Sequence, residues 1–199
     1  MTINAHSLFV SESAFGQIRL QESVKIGGIQ QWIQINGTRD KNPILLFLHG
    51  GPGNSVMSYA RKFTAELQKH FVVVQWDQRG SGKTLQLNPP NQPLSLAVVE
   101  SDVLEMTNYL RARFSRQKIY LMGHSWGGFL ALQAAAHHPE LFVACLAVSP
   151  MVNQLESENF SLAWMKEKAF QDKNQVAIDE LQKIKIPFQD GEQIYYHRN

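Results

Sequence analysis

From residue 18 polar and apolar residues alternate, Ile18, Leu20, Val24 and Ile26 being interleaved with Arg19, Gln21, Ser23 and Lys25, with Glu22 the one polar residue in the apolar phase. A period of two is that of a strand with one wetted face. Gly27-Gly28 then suits a two-residue hairpin into a second strand, Ile29 to Ile35, giving an antiparallel pair. Beyond it the period changes. Ile44 to Leu48 is an unbroken apolar run, expected of a buried strand, and Val56, Tyr59, Ala60, Phe63 and Leu67 form a helical stripe. Phe71 to Trp76 reads as the next strand, and Pro89, Pro90 and Pro93 predict an irregular loop after it. Leu96, Val99, Val103, Met106 and Leu110 lie on one helical face. A strand over Lys118 to Met122, a helix-like run from Phe129 to His137 and a fully apolar strand from Phe142 to Val148 follow. Strands alternating with helices predict an α/β fold with a mostly parallel sheet flanked by helices. From Met151 the pattern is helical and more polar, with Leu162, Met165, Ala169 and Phe170 on one face and a second stretch from Val176 to Ile184. We therefore expect a core over 1–150 and a partial helical cap over 151–199. Trp164, Met165 and Phe170 either line a pocket or pack against a neighbouring helix.

Chemistry enters at two glycine-rich junctions. Gly123-His124-Ser125-Trp126-Gly127 joins a strand to a helix, the setting of a nucleophile elbow, in which a sharp turn exposes a serine at the carboxyl end of a strand. The helix that follows aims its positive end at charge developing on a bound carbonyl. Upstream, the strand Ile44 to Leu48 runs straight into His49-Gly50-Gly51-Pro52-Gly53, where glycines leave backbone N–H groups free to face a ligand. Ser125 is the candidate nucleophile. The candidate oxyanion donors are the N–H of Trp126 and that of Gly51, with Gly50 the second choice.

The order His49-Gly-Gly-Pro-Gly53, then Trp76-Asp-Gln-Arg-Gly-Ser-Gly82, then Gly123-His-Ser-Trp-Gly-Gly128 resembles that of α/β-hydrolases related to proline iminopeptidases, over roughly the first three quarters of the chain. The resemblance implies an α/β-hydrolase fold and a serine hydrolase that removes N-terminal residues from short peptides or cleaves small amides or esters. At His124 those peptidases commonly show a small residue. The resemblance also implies a triad in the order Ser, Asp or Glu, His, with the last two on loops after two further strands beyond the cap. The sequence reaches Asn199 at what reads as the cap, so the last strands are expected to be missing. The acids and histidines after the serine include Asp172, Asp179, Asp190, His137, His138 and His197. His137 and His138 read as helix-end residues, and His197 sits in a polar tail with no assigned role. The alternative reading is an incomplete or catalytically silent hydrolase that serves as a binding or partner module.

Composition narrows the field. With 44% hydrophobic residues in 199, the chain can bury one core; with a net charge of +2 and 18% charged residues it carries no electrostatic footprint for nucleic acid. Arg111, Arg113, Arg116 and Lys118 are expected to complement a helix C-terminus. No apolar run is long enough to span a membrane and the start lacks a signal-peptide pattern, so we expect a cytoplasmic protein without membrane contact. Cys145, the single cysteine, is expected to be a buried, inert thiol. No metal or cofactor is expected. Gly80-Ser-Gly-Lys-Thr84 looks like the end of a phosphate loop, but Asp77 stands where that loop needs a glycine and no helix is expected after Thr84, which argues against nucleotide. Asp77 and Arg79 are expected to brace a loop by a charge-assisted hydrogen bond. If Phe142 to Val148 ends the sheet, its apolar edge should favour self-association.

Overall fold

The computed structural model describes residues 17–89 and 94–188, which fall into two compact units, one ending at Met151 and one beginning at Val152. The first is built on a six-stranded sheet in the order β1-β2-β4-β3-β5-β6. β1 (Ile18–Ile26) and β2 (Ile29–Gly37) form the expected hairpin, Ile26 facing Ile29. Gly27 and Gly28 take φ of 57° and 78°, a region open to glycine at little cost. β2 runs antiparallel to β4 (Val72–Asp77), and the rest of the sheet is parallel: β3 (Ile44–Leu48) lies between β4 and β5 (Ile119–His124), and β6 (Phe142–Val148) pairs with β5.

Alternation along the central strands divides the apolar residues between two faces. Ile44, Leu46 and Leu48 join Val72, Val74, Trp76, Ile119 and Leu121 in the main core. That core is closed by Val99, Val103, Met106 and Leu110 of α3 (Leu96–Arg113) and Leu130, Ala131 and Ala134 of α4 (Trp126–His137). Each fully buried aliphatic side chain here stabilises the fold by about 1.5–3 kcal/mol relative to exposure. On the opposite face Phe47 packs with Val56, Met122 and Ala60 of α1 (Met57–Phe63). Tyr59 and Phe63, placed on the predicted stripe of this helix, stay about half exposed.

Two expectations need correction. A short helix, α2 (Gly82–Leu87), does follow the loop after β4. The prolines begin only at Pro89, so they end this helix rather than prevent it. Cys145, expected to be buried in β6, is only half-buried, and Val143 and Leu146 on the same strand are 53% and 56% exposed. Among the described residues β6 pairs with β5 alone, so one side of it meets no neighbouring strand. The partial burial still pushes the Cys145 thiol up from its ordinary range, away from reactivity.

The second unit is a helical pair, α5 (Gln154–Gln171) and α6 (Gln175–Leu181). Asn153 and Asn174 cap them by accepting hydrogen bonds from the Glu156 and Ala177 N–H groups. Leu162, Ala169, Leu181 and Ile184 make its core, with Met165 packed against them. Trp164 and Phe170 instead point outward, 65% and 76% exposed. Among the described residues no helix is long and apolar enough to cross a membrane.

Candidate active site

β3 and β5 are adjacent and parallel, so the loops leaving their carboxyl ends lie side by side. In open α/β sheets this is the end at which ligands bind. The first loop begins at His49 and the second is the turn at Ser125.

Ser125 has φ 55° and ψ −117°, a left-handed conformation costing a non-glycine residue about 1–3 kcal/mol. Its neighbours hold it there. The Ser125 N–H donates to the carbonyl of Val148 at 3.0 Å, and the Ser125 carbonyl accepts from Phe129 and Met151. The flanking glycines are steric requirements. A Cβ on Gly123 would stand 2.0 Å from the Gly127 carbonyl oxygen, and one on Gly127 would stand 2.1 Å from that of Leu48. Ser125 occupies the N-cap position of α4, yet its side chain makes no capping bond, and among the described residues its hydroxyl has no hydrogen-bond partner. Trp126 opens the helix, so its N–H is one of the amides that α4 cannot satisfy internally. A Cβ on Gly50 would come within 3.4 Å of Ser125 Cβ and 3.3 Å of His124 Nδ1; the first loop therefore passes directly against the second.

His49, singled out in the sequence only as the start of its motif, organises the first loop. It is 1% exposed. Nε2 accepts the Gln78 N–H at 3.2 Å and lies 3.0 Å from Ser81 Oγ, whose own proton goes to the Gln78 carbonyl at 2.7 Å. Nε2 is thus an acceptor, and the proton is assigned to Nδ1, which donates to the Gly50 carbonyl at 2.7 Å. Burial lowers the His49 pKa, only partly opposed by the Gly50 hydrogen bond and by Asp77. Holding the Gly50 carbonyl on one side turns the Gly51 N–H, across the same planar trans peptide, to the other side. With both ring nitrogens engaged, His49 is not a base for Ser125. The signal for this role was present as a histidine at the end of a buried strand, but its partners come from the loop after β4.

That loop is braced from two directions. Asp77 accepts from the Ser55 hydroxyl and, at 2.9 Å, from the Lys83 N–H, so its carboxylate caps α2 where a phosphate loop would receive an anion. Arg79 does not pair with Asp77. Its Nε and Nη2 donate to Asp102 of α3 at 2.8 and 3.0 Å, and Nη2 also donates to the Gly27 carbonyl at 2.8 Å. Gln31 completes the cluster by donating to Asp102 and accepting from the Trp76 indole.

The other candidates for a triad are dispersed. His137 ends α4, roughly 16 Å along the helix axis from Trp126 at 1.5 Å per residue. His138 lies 3.5 Å from Glu140. Asp172 pairs with Lys168, and Asp179 accepts from Gln175. Asp190 and His197 lie outside the described residues. Among the described residues, then, no histidine ring is hydrogen-bonded to Ser125.

A family model described as the alpha/beta hydrolase fold matches residues 43–178. "Probable aminopeptidase YbaC" of Bacillus subtilis is 39% identical over 150 residues, covering 75% of this chain and 47% of that protein. A proline iminopeptidase of Lactobacillus helveticus is 34% identical over 115 residues, covering 57% and 37% respectively. The chain therefore spans less than half the length of these curated relatives. Among solved structures, a proline iminopeptidase-related protein from Thermus thermophilus superposes with a TM-score of 0.62 over 85% of this chain and 58% of that one, at 24% identity; this likeness carries the fold alone.

Proposed function

Because the chain belongs to the α/β-hydrolase family, we propose that Ser125 is the nucleophile of an acyl-transfer site whose oxyanion donors are the N–H groups of Trp126 and Gly51. The observation that carries this reading is Ser125 itself: a strained serine between two glycines that admit no side chain, its hydroxyl not spent on capping the helix it begins. In the reaction Oγ bonds to the substrate carbonyl carbon, the carbonyl oxygen takes up negative charge against the two N–H groups, the C–N or C–O bond breaks as the leaving amine or alcohol takes the Oγ proton, and water then hydrolyses the acyl-serine to free the acid and restore the hydroxyl. The substrates proposed are the N-terminal residues of short peptides, as the names of the similar aminopeptidase and iminopeptidase suggest, or small amides and esters. Residues 151–199 are proposed as the first part of a helical cap.

A second reading is favoured by one observation. The Oγ proton needs an acceptor, and among the described residues no histidine is bonded to Ser125. A site keeping only its oxyanion hole and binding contacts retains about 10³–10⁴-fold over water, so these 199 residues would then form an incomplete hydrolase acting as a binding module. The test is fluorophosphonate labelling read by intact mass, beside Ser125→Ala. Adduct on the wild type alone supports an activated serine; no adduct on folded protein supports the second reading. Cleavage of a free but not an N-acetylated peptide would mark an aminopeptidase, and equal cleavage would remove that specificity. We also propose that the chain self-associates through the open side of β6.

A further inference from the structure

A groove runs between α3 and α4, and neither Gly50, Gly51, Ser125 nor Trp126 lines it. α3 contributes Ala97, Glu100, Ser101 and Leu104; α4 contributes Leu130, Gln133, Ala134 and His137. Each set is spaced i, i+3, i+4 and i+7, so each occupies one face of its helix. Between them lies a cavity of about 280 Å³. Part of its lining is apolar: Leu130 and Ala134 are 1% and 8% exposed, and Leu104 packs against the main core. The polar part is uncommitted. Among the described residues none of the Glu100, Ser101, Gln133 and His137 side chains makes a hydrogen bond or an ion pair, whereas the adjoining His138 ring lies 3.5 Å from Glu140.

We propose that this groove binds a small primary ammonium ion carried on a branched aliphatic body. Charge selects the ammonium. Glu100 is the one carboxylate among the described lining residues, and no lysine or arginine is among them. The groove also meets the last turn of α4 at His137, where the terminal carbonyls lack N–H partners within the helix and carry the negative end of its dipole. Both features favour a cation and oppose a carboxylate. An ammonium has three N–H bonds to donate, and the Glu100 carboxylate, the Ser101 hydroxyl and the Gln133 carbonyl oxygen are uncommitted acceptors. The aliphatic body gains burial against Leu104, Leu130 and Ala134. The volume is that of about nine waters at roughly 30 Å³ each, room for the ammonium and about four or five carbons. This site goes beyond the hydrolase reading and does not depend on it, since no residue assigned to acyl transfer lines it.

The test uses a matched series of probes on one isobutyl body: isobutylammonium, isobutanol and isovalerate, with methylammonium as the cation lacking that body. Each is titrated at constant ionic strength into the ¹⁵N-labelled full chain. The Gln133 side-chain amide and the backbone amides of α3 and α4 are followed. Isobutylammonium is expected to move the Gln133 resonance along a saturating curve, the other three probes binding more weakly by roughly fivefold or more. Glu100→Gln keeps the shape and removes the charge; it is expected to weaken isobutylammonium by roughly the same factor and leave isobutanol unchanged. Ala97→Trp, at an exposed position on the rim, should fill the groove and weaken every probe. Equal affinity for isobutylammonium and isobutanol, or for isobutylammonium and methylammonium, would overturn the site, as would unchanged affinity in folded Glu100→Gln or shifts confined to residues outside α3 and α4. Ser125→Ala should bind isobutylammonium as the wild type does, while fluorophosphonate labelling reports on Ser125 alone, so a failed nucleophile and a failed ammonium site give different results.

Discussion

At His49 the proton sits on Nδ1 because Nε2 is already filled by the Gln78 N–H, and a second proton would bring two donors face to face. The folded protein therefore resists protonation of this ring, and its pKa lies below the ordinary 6.5. An unfolded chain has no such resistance. Between the depressed folded value and about 6.5 the unfolded state binds the extra proton, so stability is complete above that window and declines as pH falls through it. Urea midpoints measured across pH 5 to 8 should show this decline in the wild type and lose it in His49→Asn; equal slopes in both proteins would count against it. Gly127 makes a steric counterpart. Placing a methyl 2.1 Å from the Leu48 carbonyl oxygen forces a backbone shift, and Gly127→Ala should destabilise by about 1–3 kcal/mol or more in the same assay. Both glycines of the elbow and the serine between them were legible in the sequence. The His49 network was not, since its partners Gln78 and Ser81 are recruited by the pairing of β3 with β4 and carry no local signature.

Among the elements, the one most dependent on distant partners is the segment after β4. Asp77 ties it to Ser55 and to the start of α2, while Arg79 ties it to α3 and to the β1–β2 turn. The Arg79 and Asp102 side chains are 5% and 1% exposed. Removing one member leaves the other charged and buried, so Asp102→Leu should cost about 3–5 kcal/mol, visible as a large loss of thermal stability. Replacing both partners together, Arg79→Met with Asp102→Leu, should cost less than the single change; a strictly additive double variant would argue against a desolvated pair. Hydrophobic period placed β1, β2, β3 and α3 well, because each has one clear buried face or is buried on both. It placed α2 poorly: Gly82 to Leu87 has no stripe to reveal it, and its N-terminus is organised by Asp77 from the preceding strand. It also overstated the burial of Cys145 in β6, because an apolar strand reads the same whether or not a neighbour covers it.

For the molecule as a whole, β6 is the feature with the broadest consequence for behaviour in solution. Val143 and Leu146 expose apolar surface beside backbone groups that pair with no strand among the described residues, a combination that promotes association between chains. Sedimentation velocity should show a concentration-dependent rise in mass for the wild type that Leu146→Lys diminishes; a monomer at all concentrations would remove this proposal. The parallel pairing at the centre of the sheet bears on assembly as well. β3 must find β5 across the whole of β4, α2 and α3, joining Leu45 to Tyr120, and such distant pairings form slowly because a long loop has to close before any contact rewards it. That pairing, with α4 packed against the end of β3, brings the turn at Ser125 beside the loop at Gly51. A nascent or refolding chain should accordingly acquire its hairpin early and its reactive centre late, so that competence to bind at Ser125 lags behind the appearance of secondary structure.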